Sequence, residues 1–593
     1  MSDYRIPDLP SDEELGIAGL SEEDLAEPAA AGPAKGGGKT PPPPGAAPSG
    51  GAPTPAGHRP LPWRGLITLA VLLAGIWLSS SYRVLPSPQA ANAPDTAFAS
   101  GRALTLLVEV ARRPHPTGSP DHDRVRDLLV SRLRELGLEP EVQEVTQVTA
   151  RRDRARAATV RNIVARIPGT ASTGAILLTA HYDAVPGSPG AGDDATGVAA
   201  IVETVRALGA GDPLRNDVII LISDAEELGL FGARAFVERH PWMAQVEVVL
   251  SVEMRGAGGP SIMFETGAEN GWIVERLQEA DPRPLANSVS TEIYRRLPND
   301  TDFSPFRDAG VQGLNFAAIG RADRYHQPTD TPENLQESTL QHHGERLLAL
   351  VRHLGDVELA EVRARDRAFT VLPFVGMVSL SVGLALPITL SLLLLLLVVT
   401  FLASLRGTRS RGFLLAAVLS GVAVGLSAGA GWALLRWFLP LLPLYGTGAL
   451  VPAVHGEGVY FVALAATALG ITSAVFSLGH RWMTPLEATL GALLIPVLAL
   501  LAATLMAPAA AINLQGPLAS TLLLLLLLTG VGLHRARGTV AWIASLILAL
   551  PVLAFVVPVQ ELVAVALTLR AAPLIGGLMA LALLFILPAL SAL

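Results

Sequence analysis

His181, Asp193, Glu227, Glu253 and His326 are imidazoles and carboxylates, the two ligand types that hold borderline-soft divalent cations, and Glu226 lies beside one of them. In HYD (181–183), a metal-binding imidazole at His181 is followed two residues on by Asp183, whose carboxylate can return to the other ring nitrogen and raise its basicity. GDDATG (192–197) offers Asp193 as a carboxylate able to bridge two ions, with small residues that let the backbone turn sharply into a helix. Read alone, such a pair beside glycine equally suits a helix cap or a turn. DAEE (224–227) is more telling, because adjacent carboxylates after an apolar run are costly unless cations compensate them. If Glu227 ligates, Glu226 is held off the metal and is free to take a proton from water. Glu253 after VVLSV and His326 in YHQPTDT complete the set. Two imidazoles, one shared carboxylate and two terminal carboxylates make two mixed nitrogen and oxygen sites suited to zinc. Two ions about 3.5–4 Å apart can activate a nucleophile and hold a developing oxyanion, which fits acyl transfer to water better than phosphoryl transfer.

Such scattered residues need a scaffold that gathers them. GAILLTAHYD (174–183), DVIILISDAEE (217–227) and VEVVLSVEMRG (246–256) read as buried strands running into polar residues, and ATGVAAIVETVRAL (195–208) reads as a helix. RDLLVSRLRELG (126–137) has helical periodicity and a glycine stop at Gly137. Strand, helix, strand at this spacing predicts an α/β fold with a mainly parallel central sheet and flanking helices. The candidate ligands before residue 260 then fall at or just past the carboxyl ends of strands, where open α/β sheets place their ligands.

A hydrophobic fraction of 50% and a mean hydropathy of +0.43 over 593 residues are too apolar for an ordinary soluble chain. The formal charge of −8 gives no support to a nucleic-acid partner, and the absence of cysteine excludes disulfides, thiol catalysis and cysteine zinc sites. Residues 1–60 are acidic and then rich in Ala, Pro and Gly, which predicts a disordered tail. GGGKT (36–40) lacks the first glycine of a phosphate loop, Pro33 standing in its place. A transmembrane anchor is expected over 62–84, a soluble domain over 97–368 and a polytopic all-α transmembrane domain over 369–593. Its spans are expected near 380–403, 413–434, 458–478, 487–508, 517–533, 540–558 and 572–591, eight with the anchor, and 369–403 is long enough for a ninth. The Arg406, Arg409, Arg411 cluster, the His480, Arg481 link and the His534, Arg535, Arg537 link occur at alternate turns, and Arg59 and Arg64 stand at the amino end of the anchor. By the positive-inside rule these are cytoplasmic and the soluble domain is outside, with Arg436 and Arg570 dissenting. The expectation is a multi-pass protein of a bacterial inner membrane, its soluble domain facing the periplasm or exterior.

The succession HYD, GDDATG, DAEELG, VEMRG, TDFSPF and YHQPTDT resembles the zinc metallopeptidase family that includes aminopeptidase Y and glutamate carboxypeptidase. The membrane layout is similar to that family's endoplasmic-reticulum metallopeptidase and vacuolar membrane protease branch; the detailed resemblance covers residues 97–350. It implies a zinc aminopeptidase-like fold and peptide hydrolysis, with removal of amino-terminal residues. It also implies that His181, Asp193 and Glu253 hold one zinc, that Asp193, Glu227 and His326 hold a second, and that Glu226 is the general base. Tyr325 is expected to contact substrate or the tetrahedral intermediate. Asp302 is expected in the family's acidic segment near the site, Asp194 behind Asp193, and Asp330 behind His326. Glu253 stands where soluble relatives carry aspartate, and its longer arm bears on the position and occupancy of one zinc. The partners expected are a peptide and the lipid bilayer. Competing readings are dipeptide or carboxyl-side cleavage, hydrolysis of another amide, a peptide transporter or receptor, and a membrane scaffold.

Overall fold

The computed structural model describes residues 62–151, 154–297, 299–442, 444–445, 453–454, 456–530 and 539–587. The tail expected over 1–60, Arg59, and the His534, Arg535, Arg537 link lie outside the described residues.

Helix α1 (Pro62–Ser80) precedes the soluble domain. That domain is built on seven strands: β1 (Glu141–Arg151), β2 (Arg154–Ile167), β3 (Ala175–His181), β4 (Asp217–Ser223), β5 (Val246–Met254), β6 (Ile262–Thr266) and β7 (Gln312–Ala318). Their order across the sheet is β1-β2-β4-β3-β5-β7-β6. The four central strands, β4, β3, β5 and β7, are parallel, while β1, β2 and β6 pair antiparallel at the flanks. β3 and β4 are buried along their whole length, as parallel strands covered on both faces must be, which is why they read as continuous apolar runs. Alternation divides them between two cores. Ile176, Leu178, Ile220, Ile222 and Leu250 face α2 (Ser100–Val110), α3 (Pro120–Glu135), α4 (Ala195–Gly209) and the later helix Glu337–Asp356. Leu177, Ile219, Leu221 and Val249 face α5 (Phe231–Arg239) and the helix Phe303–Asp308, through Phe236, Phe303 and Phe306.

The helix expected around 126–137 starts earlier, at Pro120, where Ser119 accepts from the His122 backbone N–H. Asp121 and Asp123 in its first turn and Arg132 and Arg134 in its last complement the helix dipole, and Gly137 in left-handed backbone (φ 82°) stops it. Three further helices lie between β5 and β7: α6 (Gly271–Ala280), α7 (Ser288–Tyr294) and α8 (Phe303–Asp308); α9 (Glu337–Asp356) closes the domain.

The expectation of extra span length in 369–403 is corrected, because its first part is an antiparallel hairpin of β8 (Arg367–Leu372) and β9 (Gly376–Ser381). Its strands are apolar because they lie against the junction with the following helices, and short apolar runs of this kind do not distinguish strand from helix by periodicity. The helices then are α10 (Ala385–Ser404), α11 (Ser410–Ala433), α12 (Glu457–Gly479), α13 (Pro485–Ala492), α14 (Leu494–Met506), α15 (Ile512–Gly530), α16 (Thr539–Leu567) and α17 (Ala572–Phe585). Among the described residues, seven helical stretches including α1 are long and apolar enough to cross a membrane. The reading of 572–591 corresponds to a shorter apolar helix, Leu569–Phe585, and residues 588–591 lie outside the described residues.

Helix α1 runs beside α16 in the same direction. Near its start Arg64 donates to Thr539 Oγ1 (3.0 Å), and at its end Ser80 Oγ and Arg83 donate to the two carboxylate oxygens of Glu561 (2.6 and 3.1 Å). The soluble domain meets the opposite end of α16 from Arg64: Arg255 donates to the Ala566 carbonyl (3.1 Å). A buried polar cluster joins the two parts, Asn287 donating to Thr370 Oγ1 (3.0 Å) and exchanging amide hydrogen bonds with Asn513 (3.1 Å each). Buried amides of this kind hold a fixed register because every unmade bond leaves a desolvated group.

Candidate metal centre

Parallel strands deliver the candidate residues to one edge of the sheet. His181 ends β3, Glu253 is the penultimate residue of β5, Glu226 and Glu227 follow β4, Asp193 and Asp194 precede α4, and His326 follows β7. Close backbone approach makes this crowding possible: a Cβ on Gly192 would lie 2.3 Å from the Gly256 carbonyl, and one on Gly197 2.4 Å from Asp194 Oδ2.

All five candidate ligands converge. Asp193 lies between the histidines, Oδ1 3.1 Å from His181 Nε2 and Oδ2 2.9 Å from His326 Nε2. Glu253 Oε2 is 3.9 Å from His181 Nε2, and Glu227 Oε1 is 3.0 Å from His326 Nε2. His181 Nδ1 is 2.9 Å from the Asp183 carbonyl, which can only accept, so Nδ1 carries a proton and Nε2, beside Asp193, is the ring nitrogen a cation would take. The main chain of Asp183 thus fixes the tautomer. Its carboxylate, 3.5 Å from Nδ1, accepts instead from the backbone N–H groups of Glu226 and Glu227 (3.0 and 3.3 Å) and from Thr117 Oγ1 (3.2 Å).

The other supporting carboxylates differ in detail from expectation. Asp330 accepts from the N–H groups of Gly192 and Asp193 (2.7 and 3.3 Å), so it braces the Asp193 loop. Asp194 Oδ1 caps α4 through the Gly197 N–H (3.0 Å), and the Asp194 carboxylate belongs to a group with His181 and Glu253 in which one ligand atom from each lies within 4.8 Å of the others. Asp302 is fully buried against Ser223 Oγ. Tyr325 stacks on His326 with ring centroids 3.8 Å apart.

The donor set fits a cation. Glu227 Oε1, Glu253 Oε1, Asp194 Oδ2 and His326 Nε2 are all buried without a hydrogen-bond partner, although His326 Nε2 is within 3.0 Å of two carboxylates. Atoms that are near one another but not aimed as donor to acceptor converge on a common point. Unpaired buried carboxylates are strongly disfavoured in such a place. Burial pushes the Glu226 and Glu253 carboxyls well above their usual range, against the opposing charge of His181 and with neighbouring carboxylates adding. Burial and Asp193 push Glu227 up to about 7. At Asp193 burial works upward too, yet His181 and His326 outweigh it and hold the carboxyl well below the usual range. Positive charge at the centre would relieve this repulsion.

A cavity of about 200 Å³ opens beside Asp193, Glu226 and Glu253, with Tyr325 and His326 on its wall. Among the wall residues that sequence reasoning missed are Arg255, Tyr294, Leu562 and Ala566. Arg255 stands two residues after Glu253, the strand spacing that returns to the same face, and could have been found from that alternation. Leu562 and Ala566 are apolar residues of a mainly apolar helix, and neither type marks a site.

An imidazole and carboxylate cluster at the carboxyl edge of a central parallel sheet, fused to apolar helices, is the class of protein that fold and site define. Residues 162–351 match the model of peptidase family M28, and the chain carries a domain of that family. The chain is 34% identical over 201 residues to endoplasmic reticulum metallopeptidase 1 of Mus musculus, covering 33% of this chain and 22% of that one. It is 34% identical over 245 residues to a vacuolar membrane protease of Candida dubliniensis, covering 40% of this chain and 26% of that one. The matched stretch therefore spans about a quarter or less of these curated relatives. Among solved structures, BSAP, a zinc aminopeptidase from Bacillus subtilis, aligns over 46% of this chain and 98% of its own at 17% identity, with a TM-score of 0.37.

Proposed function

We propose that the chain is a membrane-bound zinc peptidase that removes amino-terminal residues from peptides. The observation that carries this reading is Asp193 between His181 and His326, with Glu226 on the wall of the same cavity. His181, Asp193 and Glu253 would hold one zinc, and Asp193, Glu227 and His326 the other. Bound zinc supplies Lewis acidity and eases ionisation of water. The Glu226 carboxylate takes the proton of the attacking water and returns it to the departing amine. The Asp183 carboxylate holds the Glu226 and Glu227 main chain and so aims both side chains. Tyr325, held against His326, can donate its hydroxyl hydrogen to the developing oxyanion. The family match and the names of the curated relatives support peptide hydrolysis at a membrane.

Incubation of the zinc-loaded full chain with matched peptides, free or acetylated at the amino terminus, tests this directly. Mass spectrometry should find stepwise loss of the first residue from the free peptides alone; trimming from the carboxyl end, equal cleavage of acetylated peptides or no cleavage would refute it. Asp183→Asn should weaken zinc binding by about 10–100-fold in competition with a chelator, the usual consequence of loosening a group that orients a ligand. An unchanged affinity would remove Asp183 from that role.

The arginine-rich turns are read as cytoplasmic and the catalytic domain as extracytoplasmic in a bacterial inner membrane. The pairing of Arg64 with the start of α16, and of Arg255 with its far end, supports that orientation. A reporter enzyme fused in the loop after Arg406 should report the cytoplasm; an exterior signal there would invert the topology.

A further inference from the structure

We propose that membrane helix α16 completes the pocket for the substrate's first side chain, so that Leu562 and Ala566 select peptides beginning with a large apolar residue. This deepens the aminopeptidase reading and rests on it. The catalytic cavity extends from Asp193, Glu226 and Glu253 to a wall on which Ile262, Phe264, Ile293 and Leu297 of the soluble domain meet Leu562 and Ala566 of α16. Leu562 and Ala566 are four residues apart and share one helix face. The cavity therefore joins the carboxylates to an apolar stretch of wall, with Arg255 and Asp300 also lining it.

The α16 wall is fixed in place. Arg255 donates to the Ala566 carbonyl near the helix's carboxyl end, where a cation also complements the helix dipole. One residue before Leu562, Glu561 is tied to Ser80 and Arg83. Ile293, on α7, packs into a cluster that includes Val563 and Ala564 of α16. The whole cavity, carboxylate end included, is about 200 Å³, and a dry apolar cavity of about 150 Å³ takes benzene, so its apolar part is on the scale of a single large side chain.

The test uses the zinc-loaded full chain in detergent and calorimetric binding of leucine, phenylalanine, alanine and glutamate hydroxamates, a readout that needs no turnover. The leucine and phenylalanine probes should bind at least about ten-fold tighter than alanine, the scale on which an apolar pocket discriminates missing methylenes. Ala566→Trp, which fills the pocket, should bring both within about three-fold of alanine and leave alanine unchanged. Leu562→Ala, which removes wall without adding bulk, should weaken leucine binding and carries the test if the tryptophan variant does not fold. The proposal is overturned if the wild-type chain shows no apolar preference, if it favours glutamate, or if the preference survives in the folded variants. A chain that binds with this preference yet cleaves no peptide would instead overturn the aminopeptidase reading and leave the pocket standing.

Discussion

Glu226→Gln is expected to cut turnover by about 10²–10⁴-fold, the range attributed to a positioned general base, while zinc content stays at the wild-type level. Glutamine has nearly the same shape, so the cavity wall and the backbone bonds from Glu226 and Glu227 to Asp183 should persist. What disappears is the oxygen able to accept a proton from water and give it back. Elemental analysis and steady-state kinetics on the same preparation separate the two possibilities. Activity within a few-fold of wild type would remove Glu226 from proton transfer, and a loss of zinc in parallel with activity would make it a ligand instead.

Asp193→Asn should do the opposite, emptying the centre. Among the described residues, Asp193 is the one carboxylate within 3.1 Å of both imidazoles, so the substitution removes a negative charge from each proposed site at once. Its amide would also present N–H hydrogens to His181 Nε2 or His326 Nε2, occupying a lone pair a cation would use. Bound zinc should fall from two per chain to below one, with activity below detection. Wild-type melting temperature should drop when a chelator is added, because a ligand that binds only the folded state stabilises it by about 2.7 kcal/mol at a concentration 100 times its Kd. The variant's melting temperature should not respond. Two tightly held zinc ions in Asp193→Asn would contradict a shared carboxylate.

Most of this centre was legible from residue types. His181, Glu227 and Glu253 follow apolar runs long enough to be buried strands, and parallel strands bring such residues to one edge whatever lies between them. Fine support was harder to read, because main-chain acceptors have no sequence signature: the Asp183 carbonyl, not its carboxylate, holds His181 Nδ1. The antiparallel flank of β1 and β2 also escaped notice, since half-exposed strands such as EVQEVTQVTAR mix charge with β-branched residues. The β8–β9 hairpin and the α16 wall were hidden for a different reason. Both lie in mainly apolar sequence whose few polar residues, such as Arg367 and Ser379 in one and Glu561 in the other, set neither period nor facing.

The pairing of Arg83 with Glu561 links segments 478 residues apart. At about 5–20 residues per second of synthesis, roughly half a minute to a minute and a half separates the emergence of one from the other. The first helix and the strands and helices of the soluble domain are therefore made well before α16, the helix that both of them meet. Biogenesis of this protein includes a docking step in which α16, made late, closes a joint opened by α1, made early.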